Sequence, residues 1–213
     1  MCGPAPKRKL KVDLEELAMA MDDHTGEADY YLDLETGQVA MVTGETRQAL
    51  EEIMEELGDE GSLDDAAVEE AIAGSDHAEN RTADFPRADW EQDVLREAHW
   101  VDAGLGERYL RIETAESSEG YEDMESFIAT VRSEDAEERL WDAIRGRKPF
   151  RRFKDVLEEF PREREQWFEF SNARERQRAL EWLASAGIEC DGKPDAENRT
   201  ADFPRTETHE DGR

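Results

Sequence analysis

Apolar residues recur with two different periods along the chain, and each period predicts one type of secondary structure. In "VDLEELAMAMDD", Leu14, Leu17 and Met21 lie near one face of a predicted helix. The next segment, "DYYLDLETGQVAMV", changes to short runs rich in Tyr, Leu and Val on both sides of Gly37, which permits the positive φ of a turn. This segment predicts a β-hairpin over residues 29–43.

Helical spacing returns after the hairpin and is then interrupted by an acidic stretch. In "TRQALEEIMEELG", the spacing of Leu50, Ile53 and Leu57 predicts a helix that ends at Gly58. Residues 59–88 are rich in acidic side chains, and they predict an exposed connection that contains at most one short helix.

Beyond the acidic stretch, one helix and one strand are predicted. The segment "DWEQDVLREAHWV" spaces Trp90, Val94, Ala98 and Val101 by four, four and three residues, which predicts a helix that buries these side chains. The segment "RYLRIE" at residues 108–113 predicts a third strand.

Helical stripes dominate the C-terminal half of the chain. They occur in "GYEDMESFIATV" and in three later segments, at residues 134–145, 149–160 and 162–186. The predicted fold class is therefore α+β: a small antiparallel sheet, made of the hairpin and one further strand, is packed by several helices, and the C-terminal half is helical.

The same pattern predicts a simple domain organisation. We expect a single compact α+β domain formed by residues 12–58 and 94–189, with the acidic connection at 59–88 exposed to solvent. Residues 190–213 are polar and are expected to form a flexible tail.

The charge of the chain is strongly acidic. Its 56 Asp and Glu residues against 27 Lys and Arg residues give a formal net charge of −29, and only 6 of the basic residues are Lys. Residues 44–93 alone hold 17 acidic and 3 basic residues, a net charge of −14. Excess acid with scarce Lys favours adaptation to concentrated salt, where the screening length is about 3 Å at 1 M. The alternative is an ordinary protein with one acidic loop; in both cases the charge disfavours binding to nucleic acid.

The decapeptide "AENRTADFPR" occurs twice, at residues 78–87 and 196–205. The flanking residues differ, and stacked structural repeats have periods of roughly 20–50 residues, far shorter than this separation. We favour a duplicated segment that is tolerated at two exposed sites. The functional alternative is a pair of identical docking peptides that capture one partner together.

One stretch reverses the sign of the charge. Residues 145–178 hold 11 basic and 7 acidic residues, a net charge of +4. Cations that stand out from an acidic background are candidates for binding an anionic partner. The predicted binding residues are Arg147, Lys148, Arg151, Arg152 and Lys154.

Apolar residues in the same stretch indicate which side of it is buried. Phe150, Phe153, Leu157 and Phe160 recur at helical spacing, which favours core side chains over platforms that stack on nucleic-acid bases. The cations would then be displayed beside this stripe.

Local ion pairs offer a less specific interpretation of the basic residues. Arg151 and Asp155, and likewise Lys154 and Glu158, are four residues apart and would form the pairs of an ordinary solvated helix face. The other three cations would still have no local partner. The patch could bind phosphate, an acidic partner or the chain's own acidic segment, and on sequence grounds we favour the last.

Signals for catalysis and for metal binding are weak. The four histidines, His24, His77, His99 and His209, show no HExxH pattern, and the chain has no P-loop, GxGxxG or GxSxG motif. We therefore predict no metal and no cofactor, and we lean towards a protein that is not an enzyme. An active site assembled from distant residues is the alternative.

The cysteines and the basic N-terminal segment indicate the cellular location of the protein. Cys2 and Cys190 are too few for a disulfide framework, and the basic "PKRKLK" is not followed by the apolar segment of a signal peptide. No apolar run approaches the length of a membrane span. We expect a cytoplasmic protein that makes no contact with membranes.

Several motifs in a fixed order resemble a known family. These are "YYLDLETGQV", "DFPRADW", "RYLRIE", "GYEDMESFIATV", "GRKPFRRFKDVLEEFPREREQWFEF" and "RALEWLASAGIE". Over roughly residues 12–189 the chain is similar to the bacterial uncharacterised protein family 0158. The resemblance implies a compact α+β domain in the bacterial cytoplasm, and it implies no activity and no catalytic residues.

Three hypotheses for the function follow. The leading one is a non-enzymatic interaction or regulatory protein, with an unknown protein partner, that uses the basic helix face at residues 145–154. The second is a nucleic-acid-associated module that binds phosphate through the same face, and the third is an enzyme with an unrecognised site. A sheet face rich in exposed aromatics would favour the second, and a deep pocket with convergent polar groups the third.

Overall fold

A computed structural model describes residues 8–60, 64–73 and 88–191 of the chain, without the side chains of residues 59 and 60. Both copies of the repeated decapeptide, and almost all of the predicted tail, lie outside the described residues. Within the described part, no helix is both long enough and apolar enough to cross a bilayer.

Contacts between Cα atoms group the chain into two compact units. Of the described residues, those up to 115 and residues 178–190 form the first unit, and residues 116–177 with residue 191 form the second. The predicted single domain, with its stated boundaries, stays a prediction.

The first unit contains a three-stranded antiparallel sheet and a separate two-stranded parallel sheet. Its elements are β1 (Arg8–Leu10), α1 (Leu14–Asp22), β2 (Ala28–Asp33), β3 (Val39–Thr43), α2 (Gly44–Glu60), α3 (Asp65–Ala73), α4 (Asp89–Ala103), β4 (Tyr109–Arg111) and β5 (Ile188–Cys190).

The antiparallel sheet has the strand order β3-β2-β4, which confirms the hairpin and the third strand. In the central strand, Tyr31 pairs with Ala40 on one side and with Arg111 on the other. Gly37 takes the positive φ of 79° that the hairpin turn requires, and a Cβ at this position would collide with the backbone of Lys11.

Alternation along β2 divides the apolar residues between two core clusters, because successive side chains of a strand point to opposite faces. Leu32 is fully buried in the cluster that includes α1 residues and, from the end of the long C-terminal helix, Leu183. Tyr31 is buried in the cluster formed with α2, α3 and α4. The sheet therefore has a covered apolar surface on both faces.

The acidic stretch and its flanks differ in part from expectation. The expected short helix is α3, but Val68 and Ile72 are fully buried, so this part of the connection packs into the core instead of being exposed. The preceding helix α2 does not end at Gly58; it continues to Glu60. A single Gly inside a helix costs only about 1 kcal/mol relative to Ala, which the packing of a helix offsets.

The helix α4 forms where it is predicted, but its buried side is rotated. Ala98 and Val101 are buried as expected, whereas Trp90 and Val94 are 69% and 36% exposed. Leu95 is buried in their place. The prediction was therefore wrong for the first two turns of this helix.

The second unit is helical in its described part. Its elements are α5 (Ser117–Ile128), α6 (Glu134–Ile144), α7 (Pro149–Leu157) and the first two-thirds of α8 (Pro161–Ser185), whose last residues belong to the first unit. Ser133 is the N-cap of α6, and its side chain accepts a hydrogen bond from the backbone N–H of Ala136. Together with the sheet of the first unit, these helices confirm the predicted α+β class and the helical C-terminal half.

An aromatic cluster forms the core of the second unit. Phe127 and Phe153 are buried and meet edge to face, with 6.2 Å between their ring centroids. The rings of Trp167 and Phe153 also lie edge to face, with 4.8 Å between their centroids. The ring of Phe170 packs against Phe127, with 5.7 Å between their centroids. This core fixes which side of α7 faces inward.

Candidate functional site

The five predicted binding residues lie close together in the chain, on α7 and on the turn before it. We call this group the basic face; its members are Arg147, Lys148, Arg151, Arg152 and Lys154. All five residues are exposed. The structure thus presents every predicted cation to solvent.

The local sequence explains why α7 exposes its cations. Pro149 occupies the first helical position, where its missing N–H costs nothing, and Lys148 before it has the left-handed φ of 56°. Phe153 and Leu157 are one turn apart and are buried, as predicted. Phe150, predicted to be buried, is 41% exposed, because its position lies at the edge of the buried stripe.

Ion pairing on the basic face is sparse. Arg151 contacts the carboxylate of Asp155 at 3.9 Å, close to the limit for an ion pair. The expected pair between Lys154 and Glu158 does not form, because Glu158 accepts a hydrogen bond from Arg164 at 2.8 Å. Within the described residues, the other four cations of the basic face have no ion-pair partner. Pairing with the chain's own acidic segment stays a prediction, since much of that segment lies outside the described residues.

Arg152 folds back over the turn that precedes α7. A Cβ built on Gly146 would overlap the Nη1 atom of Arg152, so the guanidinium lies directly against this glycine. The backbone N–H of Arg152 also donates to the carbonyl oxygen of Lys148 at 3.1 Å. Because the side chain packs on a surface, less rotamer freedom is lost when it binds an anion.

Two buried carboxylates elsewhere in the chain contrast with the basic face. In the first unit Asp33, only 6% exposed, accepts hydrogen bonds from Arg108 and from the backbone N–H of Glu35. Burial raises the pKa of Asp33, but these hydrogen bonds outweigh it and lower the pKa from 3.8 to about 2. In the second unit Asp123, 2% exposed, accepts from Arg174 at 2.7 Å. Both carboxylates hold structure together.

A surface cavity of about 610 Å³ lies in the first unit, and sequence reasoning missed it. Asp29, in β2, accepts from Arg111 at 2.6 Å and from Arg47 at 3.4 Å, so one carboxylate joins two guanidinium groups that line the cavity. Arg47 also donates to the hydroxyl of Tyr31 at 2.9 Å and to Asp102 at 3.3 Å. These residues come from β2, β4, α2 and α4, which only the fold brings together.

The same cavity is lined by the loop that follows α1. Asp23 accepts from the backbone N–H of Thr25 at 2.9 Å and from the hydroxyl of Tyr30 at 2.8 Å, and these bonds lower its pKa. Nδ1 of His24 lies 2.7 Å from the carbonyl oxygen of Asp22, and its Nε2 lies 2.9 Å from that of Ala115. Each ring nitrogen of His24 thus lies within hydrogen-bond distance of a backbone carbonyl oxygen.

Histidine and cysteine placement adds no metal centre. His99 is buried, with Nε2 3.6 Å from a carboxylate oxygen of Asp65, and Cys190 is a free thiol. No group of three or more potential ligand side chains converges on one point in residues 8–60, 64–73 and 88–191. His77, His209 and Cys2 lie outside the described residues.

Comparison with known proteins identifies the family. The model of an uncharacterised protein family, UPF0158, matches residues 87–204, more than half of the chain. The chain belongs to this family. It is also 27% identical over 182 residues to the UPF0158 protein PA5073 of Pseudomonas aeruginosa. The alignment covers 85% of this chain and 87% of that protein. No solved structure matches the chain.

The family assignment agrees with the motifs that the sequence carries. The matched residues include the whole basic face and the aromatic core of the second unit. The family is described as uncharacterised, so it supplies no activity and no site residues for this member. The function must be argued from the side chains themselves.

Proposed function

We propose that this UPF0158 member is a non-enzymatic interaction protein that binds an acidic segment of a partner protein through the basic face. One observation carries the proposal: four of the five cations are exposed and have no ion-pair partner among the described residues, in a chain with a net charge of −29. A contiguous group of five exposed cations of which four are unpaired supports an anion-binding surface, because their charges add in one place.

The charge of the whole chain limits which anions can approach. Double-stranded DNA carries one negative charge per about 1.7 Å of axis, so a protein this acidic repels it strongly. A short acidic peptide carries fewer charges and can contact the basic face alone. High salt weakens both the attraction and the repulsion, since the screening length is about 8 Å at physiological ionic strength and shorter in brine.

Aromatic residues argue against nucleic acid as the partner. Phe153 is 1% exposed and cannot stack on a base. Phe150 is partly exposed, but its ring edge would lie 3.1 Å from a Cβ at Gly120, so it is partly covered. In the antiparallel sheet, Tyr31 and Tyr109 are buried and Tyr30 is half-buried, with its hydroxyl donating to Asp23, so none of the three is fully exposed for base stacking.

The setting of this interaction is part of the proposal. We place the protein in the cytoplasm, because Cys190 is a free thiol and the sequence has no disulfide framework. Adaptation to high salt is proposed from the charge balance.

Fluorescence anisotropy with a labelled decaglutamate peptide tests the proposal. The triple variant Arg147→Glu, Lys148→Glu, Arg152→Glu should weaken binding at least tenfold, because it replaces three charge-assisted contacts by repulsion. A single-stranded DNA decamer should bind more weakly than the peptide at the same salt concentration.

A matched variant controls for the overall charge. Arg8, Lys9 and Lys11 are also exposed, and in the described part they have no ion-pair partner. Reversing all three to Glu changes the net charge by the same amount and should leave peptide binding within twofold of the wild type. Equal losses in the two triple variants would show a general charge effect and would overturn the proposed site. Tighter binding of the DNA decamer would favour the nucleic-acid alternative.

A further inference from the structure

The cavity in the first unit has features of a binding site that the proposed function does not use. Its volume of about 610 Å³ is within the range of about 300–1,000 Å³ that is usual for small-molecule sites. Its lining is polar, with charged side chains of both signs from the loop after α1, from the sheet and from α2. Such a lining suits a small, charged ligand.

Arg111 provides the positive end of this cavity. Its side chain is 65% exposed, and the described contacts use only Nη2, which donates to Asp29. A guanidinium has five N–H donors, so the remaining edge of Arg111 can donate to a second carboxylate. Arg47, which also contacts Asp29, adds positive charge, and three of its five donors are used by Asp29, Tyr31 and Asp102.

Glu27 provides a negative end. Its residue is exposed and lines the cavity, and its carboxylate has no hydrogen-bond or ion-pair partner within the described residues. Its backbone carbonyl accepts from the N–H of Gly44 at 3.1 Å. Glu27 lies in the bend directly before β2, two residues before Asp29 in the chain.

A carboxylate with no described partner and a guanidinium with unused donors therefore line the same cavity. We propose that the cavity binds a small zwitterion, with the ligand carboxylate on Arg111 and the ligand ammonium group on Glu27. Thr114, which also lines the cavity, adds a hydroxyl that can donate a hydrogen bond to the ligand.

Three matched probes test the inference in calorimetric titrations of the full chain. β-Alanine carries both charged groups, propionate carries only the carboxylate, and propylamine carries only the ammonium group. β-Alanine should bind at least tenfold more tightly than either single-charge probe, because each of those loses one charge-assisted hydrogen bond.

The variant Glu27→Gln distinguishes a specific site from general attraction. The wild-type carboxylate has no partner to lose, so the fold is preserved, and β-alanine should then bind no better than propionate. Arg111→Gln should abolish the binding of both, whereas Arg132→Gln in the second unit, also an exposed arginine, should change nothing.

Two results would overturn the inference. One is the absence of any heat of binding for β-alanine at millimolar concentration, and the other is propylamine binding as tightly as β-alanine, which would mark a simple cation site. None of these titrations depends on the basic face, so the proposed function stands or fails separately.

Discussion

Three arginines of the first unit and the cations of the basic face differ in how many ion pairs they form. In the first unit Arg47, Arg96 and Arg108 each contact two carboxylates at 3.4 Å or less. On the basic face the described residues supply one ion pair, between Arg151 and Asp155 at 3.9 Å. Net charge therefore says little about whether a particular cation is free to bind.

The difference arises from where the carboxylates are placed. Asp29 and Asp33 lie on the central strand β2, so side chains from neighbouring strands and helices reach them across the fold. On α7 the nearby acidic residues follow at intervals of one helical turn, and one of them, Glu158, is used by Arg164. Carboxylates on the central strand thus pair with several arginines of the first unit, while four cations of the basic face stay unpaired within the described residues.

The largest expected effect is on the buried carboxylate of Asp33 in the first unit. Asp33→Ala removes the acceptor of Arg108 and of two backbone N–H groups in the hairpin turn. It should lower the free energy of unfolding by about 3 kcal/mol, because several hydrogen bonds to one charged group are lost together. Asp155→Ala, which removes the partner of Arg151, should change it by less than about 0.5 kcal/mol. Urea denaturation of both variants measures the contrast; equal losses would contradict it.

Lowering the pH should remove the contribution of Asp33 to the free energy of unfolding. The pKa of Asp33 is about 2 in the folded protein and 3.8 ordinarily, so the folded state binds this proton less readily than the unfolded state. Its contribution of about 2 kcal/mol is complete above pH 4 and is lost as the pH falls from about 4 to 2. Subtracting the stability curve of Asp33→Asn from that of the wild type isolates this titration. A difference that does not change between pH 5 and pH 2 would rule out the stabilising role of Asp33.

Gly146 permits a smaller test of the basic face. Gly146→Ala should displace the guanidinium of Arg152, because the new Cβ occupies its place, and peptide binding should weaken about threefold. Stability should change by less than about 1 kcal/mol, since the displaced atoms are the end of a flexible side chain. In an Arg152→Ala background the glycine substitution should have no further effect on binding. A full threefold loss in that background would disprove the link between the two residues.

The smallest expected effect concerns Arg151. Asp155→Ala should free its guanidinium and strengthen decaglutamate binding about twofold, consistent with the low value of exposed pairs. Asp142→Ala, a change at an exposed acidic residue of α6, serves as the control for net charge. Equal gains in peptide affinity for both variants would show that the change in net charge, and not the release of Arg151, strengthens binding.

Part of this fold could be predicted from the sequence, because local periodicity carries it. The hairpin follows from alternation around Gly37, and the helices of the second unit follow from stripes such as Phe153 and Leu157. The parallel pair of β1 and β5 could not be predicted: three residues show no period, and the partners Leu10 and Cys190 are distant in sequence. The buried side of α4 was missed at Trp90 because tertiary packing sets the rotation of a helix.

The two candidate sites also differ in how far the sequence predicts them. The cations of the basic face are contiguous, so composition alone located them, although it could not show that Lys154 lacks its expected partner Glu158. The cavity depends on the register between Tyr31 and Arg111 and on the position of α2, and no motif indicates either. Sequence reasoning finds sites that are local in the chain.

The central claim is that four cations of the basic face have no ion-pair partner among the described residues, while Arg47, Arg96 and Arg108 of the first unit are each paired with two carboxylates. The most direct measurement follows the arginine Nε–Hε signals of the ¹⁵N-labelled protein during titration with decaglutamate. We predict that the signals of Arg147 and Arg152 shift with the peptide concentration while that of Arg108 stays unchanged. A shift of the Arg108 signal, with Arg147 and Arg152 unmoved, would contradict the account.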